Sequence, residues 1–175
     1  AFEPRLLSFK VKEQQRPDYL AVNPEGKVPA LVINGRVLTE VAATLYYLAK
    51  IYPAAELWPQ GSVEGEAQAV SWMSFIAATV HPARRAGEDA WRKVFHLCEE
   101  KLGGRDWAVG GRYSIADIHL FRLFWRFVDA LGPDRTSYPA LMAHYDRIMA
   151  RPAVRKTIEI ERAIGYEFPQ GAGTR

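Results

Sequence analysis

Hydrophobic positions change their period once along this chain. Up to about residue 53 they come as short runs and alternations, and from residue 62 onward they recur at helical spacing. Residues 6–11 alternate Leu7, Phe9 and Val11 with Ser8 and Lys10, which predicts a strand. A polar stretch ending in Arg16-Pro17-Asp18 reads as a loop, and residues 18–22 as a short helical turn before Asn23-Pro24. Ala30 to Ile33 is an apolar run, Asn34-Gly35 favours a type I′ turn, and Arg36-Val37-Leu38 is the returning strand. A helix then opens at Thr39 or Glu40, with Leu45, Leu48, Ala49 and Tyr52 on one face, and Pro53 stops it.

The second half is helical throughout. In residues 63–81, Val70, Met73, Ala77 and Val80 share a face, and Pro82 bends or ends the helix. Residues 88–102 place Trp91, Val94, Phe95, Cys98 and Leu102 toward a core, and Gly103-Gly104 terminates them. Residues 114–131 form the most apolar helix, closed by Gly132-Pro133, and residues 138–149 and 152–164 complete the set. This divides the chain into an α/β unit at 1–53, a linker at 54–61, an all-helical unit at 62–165 and a flexible tail at 166–175. In the linker, Leu57-Trp58-Pro59 is expected to pack across the boundary between the units.

A chain of 175 residues, 49% of them hydrophobic, suits one compact unit or two small ones sharing an interface. The net charge of +3 comes without a run of lysine and arginine, which argues against nucleic acid as a partner. The single cysteine excludes an internal disulfide and fits a reducing, cytoplasmic setting. No apolar run has membrane length, no His/Cys spacing suggests a metal site, and no glycine-rich loop suggests a nucleotide.

Three positions around the hairpin can do chemistry. If Val28-Pro29 is cis, Val28 turns its backbone outward like a sheet edge, and an extended peptide can pair with it. Glu40 stands where the hairpin meets a helix N-terminus. Its carboxylate suits a free amine, and the helix N–H groups suit a carboxylate of the same ligand. Together they imply a small zwitterionic peptide. Elsewhere, Ser114 and Asp117 have capping-box spacing and read as structural. Cys98 has apolar neighbours at helical spacing and reads as a buried thiol, and Arg84-Arg85 read as solvated.

The pattern Asn-Pro-x-Gly-x-Val-Pro-Ala-Leu, the hairpin, Leu38-Thr39-Glu40 and the later Tyr113-Ser114-Ile115-Ala116-Asp117 resemble the glutathione transferase family, its bacterial β class in particular. The resemblance extends to about Ala163. It implies a partial thioredoxin-like domain followed by an all-α domain. It also implies that the family's first strand and helix, with the catalytic residue, precede Ala1, so that the chain starting there conjugates nothing above background. By resemblance Val28, beside Pro29, pairs with the cysteinyl backbone of glutathione, Glu40 binds the γ-glutamyl amine, and Lys12 assists. Val41 stands where the family usually has serine, and only its backbone N–H remains to hold the γ-glutamyl carboxylate. His81, in Val80-His81-Pro82-Ala83, matches a β-class histidine near the glutathione sulfur. Trp72, Phe75, Ile76 and Thr79 are expected to line the pocket of a small apolar electrophile. The implied protein is a cytoplasmic detoxifying homodimer without a metal. The rival reading is a non-catalytic member of the same fold, used for binding or interaction.

Overall fold

The Asn34-Gly35 turn sets the architecture of the first third of the molecule. Both residues take positive φ, 49° and 77°, which makes the tight connection between β1 (Ala30–Ile33) and β2 (Arg36–Thr39). The strands pair antiparallel with Ala30 opposite Thr39 and Ile33 opposite Arg36. The computed structural model describes residues 2–59 and 61–165, so the tail expected at 166–175 lies outside the described residues. Before the hairpin stands the short helix α1 (Pro17–Leu20), and after it α2 (Val41–Ile51), which ends just ahead of Pro53.

The strand expected at residues 6–11 does not form. This segment is irregular and turns, with Leu6 63% and Val11 55% exposed. A strand needs a ladder partner for its backbone. Among the described residues β1 and β2 pair only with each other. The Ser8 N–H goes instead to the Glu13 carboxylate at 2.7 Å, and the Glu13 N–H to the Ser8 carbonyl at 3.0 Å.

The helical part begins at α3 (Val63–Phe75), whose first turn is capped by the Ser62 hydroxyl accepting from Gly65 N–H at 3.0 Å. Pro82 neither ends the helical backbone nor breaks it sharply. The backbone widens into a π turn over Ile76–Val80 and continues through α4 (His81–Ala83) into a 3₁₀ turn at Arg84–Ala86. A proline inside a helix lacks a donor and crowds the preceding turn, and a π turn just before it accommodates both effects. Helices α5 (Glu88–Leu102), α6 (Ile115–Leu131), α7 (Pro139–Met149) and α8 (Pro152–Ala163) complete the described chain.

Helix α6 is the centre of the core. Its Phe124 and Phe127 meet Phe95 of α5 at 5.2 and 4.6 Å between ring centroids, and Tyr138 closes the group at 5.5 Å from Phe127. Asp117 in its first turn is fully buried and accepts from Ser114 N–H at 2.8 Å, Ser114 O–H at 2.9 Å and Ala108 N–H at 2.7 Å, with His144 Nε2 at 2.9 Å. Glu99 of α5 caps α7 by accepting from Ala140 and Leu141 N–H at 2.7 and 2.8 Å. Between hairpin and helices, the buried Trp58 packs edge-on against Tyr46 of α2 at 4.9 Å, while the Leu57 carbonyl accepts from Ile115 N–H at 2.9 Å. The Glu56–Arg112 ion pair crosses the same junction.

Candidate functional site

The corner before β1 is built around one carbonyl. The Lys27 oxygen accepts from the buried Tyr19 hydroxyl at 2.6 Å and from the buried Asn23 side-chain amide at 2.7 Å. Asn23 is itself set by accepting from Glu25 N–H at 3.1 Å, and Gln15 ties the preceding loop to the Gly26 carbonyl at 3.1 Å. In a trans peptide the C=O and the following N–H point in opposite directions. Holding the Lys27 oxygen inward therefore turns the Val28 N–H outward. The Val28-Pro29 bond is cis, and the Val28 side chain is largely exposed.

The hairpin register brings the second element of the site alongside. Ala30 faces Thr39, so one step back from β1 and one step on from β2 Pro29 neighbours Glu40. Glu40 is exposed at the N-cap of α2, with φ 69° and ψ 129°. That backbone is uncommon for a residue with a side chain, and conformations of this kind gather at ligand sites. The first α2 hydrogen bond is Thr44 N–H to the Glu40 carbonyl at 3.0 Å, and no side chain caps the helix. The N–H groups of Val41, Ala42 and Ala43 are thus the orphan donors of a helix start, suited to a carboxylate.

His81 stands at the exit of the π turn, within electrostatic reach of Glu40. Partial burial, then the charges of Arg126 and Arg85, hold its imidazole below the usual histidine pKa, with Glu40 pulling the other way. These groups are therefore near enough to act on one another. Arg85 also acts on Lys27, whose own pKa is raised chiefly by its Glu25 partner, so the Arg85 charge reaches the Lys27–Val28 corner. Deeper in, His119 of α6 is 6% exposed, and its Nδ1 has no hydrogen-bond partner. Burial, with His81 as a second cause, lowers its pKa to about 4.

Not all the residues singled out from the sequence reach this place. Trp72 (3% exposed) and Ile76 (0%) lie in the core and offer no surface to a pocket. At helical spacing they share the inward stripe with Met73 and Val80. Phe75 is half-buried, with Lys101 of α5 lying over both its ring and that of Trp72, at 5.7 and 4.8 Å. Thr79 is exposed on the π turn beside His81. Lys12 is exposed in a left-handed turn at φ 53°, and Gln15, not Lys12, ties that loop to the site corner. Ser114 and Asp117 are buried in the α6 cap. Burial pushes the Cys98 thiol up to about 12, far from a reactive thiolate. Among the described residues no group of three or more His, Cys, Asp and Glu could hold a metal ion. Sequence reasoning missed Tyr19 and Asn23 as residues that build the site. The signal for Asn23 was its Asn-Pro-x-Gly turn, but nothing local to Tyr19 marks its reach to Lys27.

A hairpin carrying an outward-facing peptide edge, joined to an acidic helix start and backed by a helical bundle, defines a thioredoxin-like domain fused to an all-α domain. Residues 1–50 match the family described as Glutathione S-transferase, N-terminal domain, and residues 67–152 that described as Glutathione S-transferase, C-terminal domain. The chain belongs to the glutathione S-transferase family. It is 31% identical to glutathione S-transferase GST-4.5 of Xanthomonas campestris pv. campestris, over 83% of this chain and 80% of that one. It is 29% identical to glutathione S-transferase GstA of Escherichia coli O157:H7, over 87% and 83% of the two chains. Among solved structures, the bacterial beta class glutathione S-transferase of Sphingomonas chungbukensis superposes with a TM-score of 0.72 at 32% identity, covering 82% of this chain and 78% of that one. A sphingomonad glutathione S-transferase complexed with glutathione gives 0.73 at 33%, with 83% and 79% covered.

Proposed function

We propose that this protein binds glutathione along the Val28–Glu40 edge and transfers it to small hydrophobic electrophiles. The observation that carries this reading is the Lys27 carbonyl, held by Tyr19 and Asn23 so that Val28 presents its N–H beside Glu40. The cysteinyl backbone of glutathione pairs with Val28, and its γ-glutamyl amine with the Glu40 carboxylate. The γ-glutamyl carboxylate takes the N–H groups at the start of α2. Val41 supplies no hydroxyl there, so one hydrogen bond to a charged group is lost, worth ~1.5–3 kcal/mol. The relative solved with glutathione supports the ligand.

The reaction joins the glutathione sulfur to an electrophilic carbon as the leaving group departs. A free thiol with pKa ~8.5 is mostly protonated at neutral pH, and nearby cations favour its thiolate. His81 is neutral at pH 7, because its pKa is lowered, and acts as a hydrogen-bonding group; Arg85 and Arg126 supply the positive field. Thr79 and the exposed edge of the π turn offer the surface nearest His81 for the electrophile. The single buried thiol supports a reducing, cytoplasmic setting. Among the described residues no helix is long and apolar enough to cross a membrane. Exposed Tyr46, Val63 and Val70 on α2 and α3 support a two-fold homodimer.

Calorimetric titration with glutathione tests the reading. Micromolar to millimolar binding is expected, weakened about tenfold by Glu40→Gln, which removes one charge-assisted contact. Conjugation of an activated aryl halide, followed spectrophotometrically, is expected of the full-length form. Absence of detectable glutathione binding leaves the chain as an interaction module of the same fold.

A further inference from the structure

One backbone oxygen at the hairpin corner is held more firmly than a turn requires. The Lys27 carbonyl accepts from both the Tyr19 hydroxyl at 2.6 Å and the Asn23 side-chain amide at 2.7 Å. A carbonyl oxygen has two lone pairs, so this one is fully engaged. Both donors are buried. Which end of the Asn23 amide donates is settled locally, because its oxygen accepts from Glu25 N–H at 3.1 Å. Burial raises the Tyr19 pKa, so its hydroxyl is protonated and donates at neutral pH.

The loop ahead of α1 braces the same corner. Gln15 donates to the Gly26 carbonyl at 3.1 Å, one residue before Lys27, and Gly26 N–H bonds back to the Asn23 carbonyl at 2.9 Å. Gly26 takes φ 62°, and a Cβ there would overlap the Gln15 amide. One backbone hydrogen bond is enough to close a turn. Here side chains from three positions upstream also fix two successive carbonyls.

The consequence falls on the peptide unit between Lys27 and Val28. Rotating it by half a turn would bring the Lys27 oxygen to the surface and put the Val28 N–H inside. That rotation would strand the Tyr19 O–H and an Asn23 N–H without acceptors, and buried donors left so are costly. The plane is therefore one-way: it presents a donor to the ligand and not an acceptor.

We infer that Tyr19 is a positioning residue for glutathione, acting through the Lys27 oxygen to hold the Val28 N–H toward the cysteinyl carbonyl. This rests on the glutathione-binding reading above and refines its specificity. The site selects thiols whose cysteine carries a carbonyl, rather than any γ-glutamyl thiol. Tyr19 acts from behind the backbone and not on the ligand itself, with Asn23 as the second donor.

The test compares γ-glutamylcysteine amide and γ-glutamylcysteamine by calorimetry on the full chain, with glutathione as the reference. The two ligands share the amine, the carboxylate and the thiol, and only the first has the cysteinyl carbonyl. The unaltered protein is expected to bind the first about tenfold more tightly, the size of one well-made hydrogen bond. Tyr19→Phe keeps the ring and removes only the hydroxyl. It is expected to erase most of that preference while leaving the affinity for γ-glutamylcysteamine as it was. In amide NMR spectra the Val28 N–H is expected to shift on adding glutathione to the unaltered protein, and much less in the variant. Thermal unfolding checks that the variant folds. Asn23→Asp keeps the acceptor for Glu25 N–H but turns a carboxylate onto the Lys27 oxygen. It is expected to show the same selective loss, and it carries the test if Tyr19→Phe does not fold. Equal affinity of the two ligands for the unaltered protein overturns the proposal while leaving the glutathione site standing. Unchanged preference in the variants also overturns it. Equal weakening of both ligands by Tyr19→Phe, with the Val28 amide still shifting, overturns it by making Tyr19 a scaffold residue only. If neither ligand nor glutathione binds the unaltered protein, the glutathione reading fails and the proposal with it.

Discussion

Two residues show strain and burial retained beside the site. Glu40 takes φ 69° and ψ 129°, a region glycine occupies far more readily. Such a backbone costs on the order of 1–3 kcal/mol, against which glycine adds about 0.4–1 kcal/mol of unfolded-state entropy. Glu40→Gly is therefore expected to raise stability by about 1 kcal/mol, a Tm increase of roughly 2–4 °C, while glutathione binding falls sharply. An unchanged or lower Tm in calorimetric scans would show that the backbone there carries no strain. His119 offers the pH counterpart. Its folded pKa near 4 lies below the unfolded value of about 6.5. Between these values the unfolded chain binds more protons than the folded one, so stability rises with pH across that window and is complete above about 6.5. The contribution lost on acidification is roughly 3 kcal/mol. Urea unfolding from pH 4 to 7 should show this slope, with His119→Gln flattening it and His81 supplying the remainder in the same direction. Identical slopes in both proteins would mean that His119 is not held neutral by burial.

At the scale of elements, the site depends on short connections fixed by buried polar groups. The corner at Lys27 is held by Tyr19 from α1 and Asn23 from the following turn, and the α6 cap is held by Asp117. Asp117 joins three pieces: the first turn of α6, the Ala108 backbone and His144 of α7. Removing its carboxylate strands buried donors in all three. Asp117→Ala is expected to cost about 3–5 kcal/mol, well above the ~0.5–2 kcal/mol of an exposed cap, because the group is fully buried. Chemical denaturation measures this, and glutathione affinity of the folded fraction should stay as it was. Unaltered stability with altered affinity would move Asp117 from the scaffold into the site. The sequence made the cap legible, since Ser-x-x-Asp before an apolar run is a local signal. His144 lies 27 residues further on, and no local pattern marks it as the partner.

The whole molecule is two unlike halves meeting along α2 and α6. Trp58 against Tyr46, and the Leu57 carbonyl on Ile115 N–H, lock the hairpin half to the capped start of α6. The outer faces of α2 and α3 still expose Tyr46 (45%) and Val70 (54%), a surface a second copy would cover. Sedimentation at micromolar concentration is expected to give a dimer, and Val70→Asp to shift it toward monomer. A monomer for the unaltered protein under those conditions would rule the dimer out.

Local physics accounts for what the sequence alone determined. Asn34-Gly35 specified the turn because few other pairs accept two positive φ values, and Gly103, Gly132 and the Ser114–Asp117 box set helix ends by groups within a few residues. The helical period marked residues 88–102 and 114–131 because a stripe facing a core must recur every three or four positions. Residues 6–11 carried the alternation of a strand without becoming one, since a strand depends on a partner elsewhere in the chain. Periodicity also put Trp72 and Ile76 on the same helix as His81, but it does not say which neighbour covers each face; Lys101 of α5 lies over Trp72, and the charge of Glu40 reaches His81. The tertiary structure alone decided that the charges of Arg85, Arg126 and Glu40 reach His81, because charges on separate elements act on one another only once packing has brought those elements together.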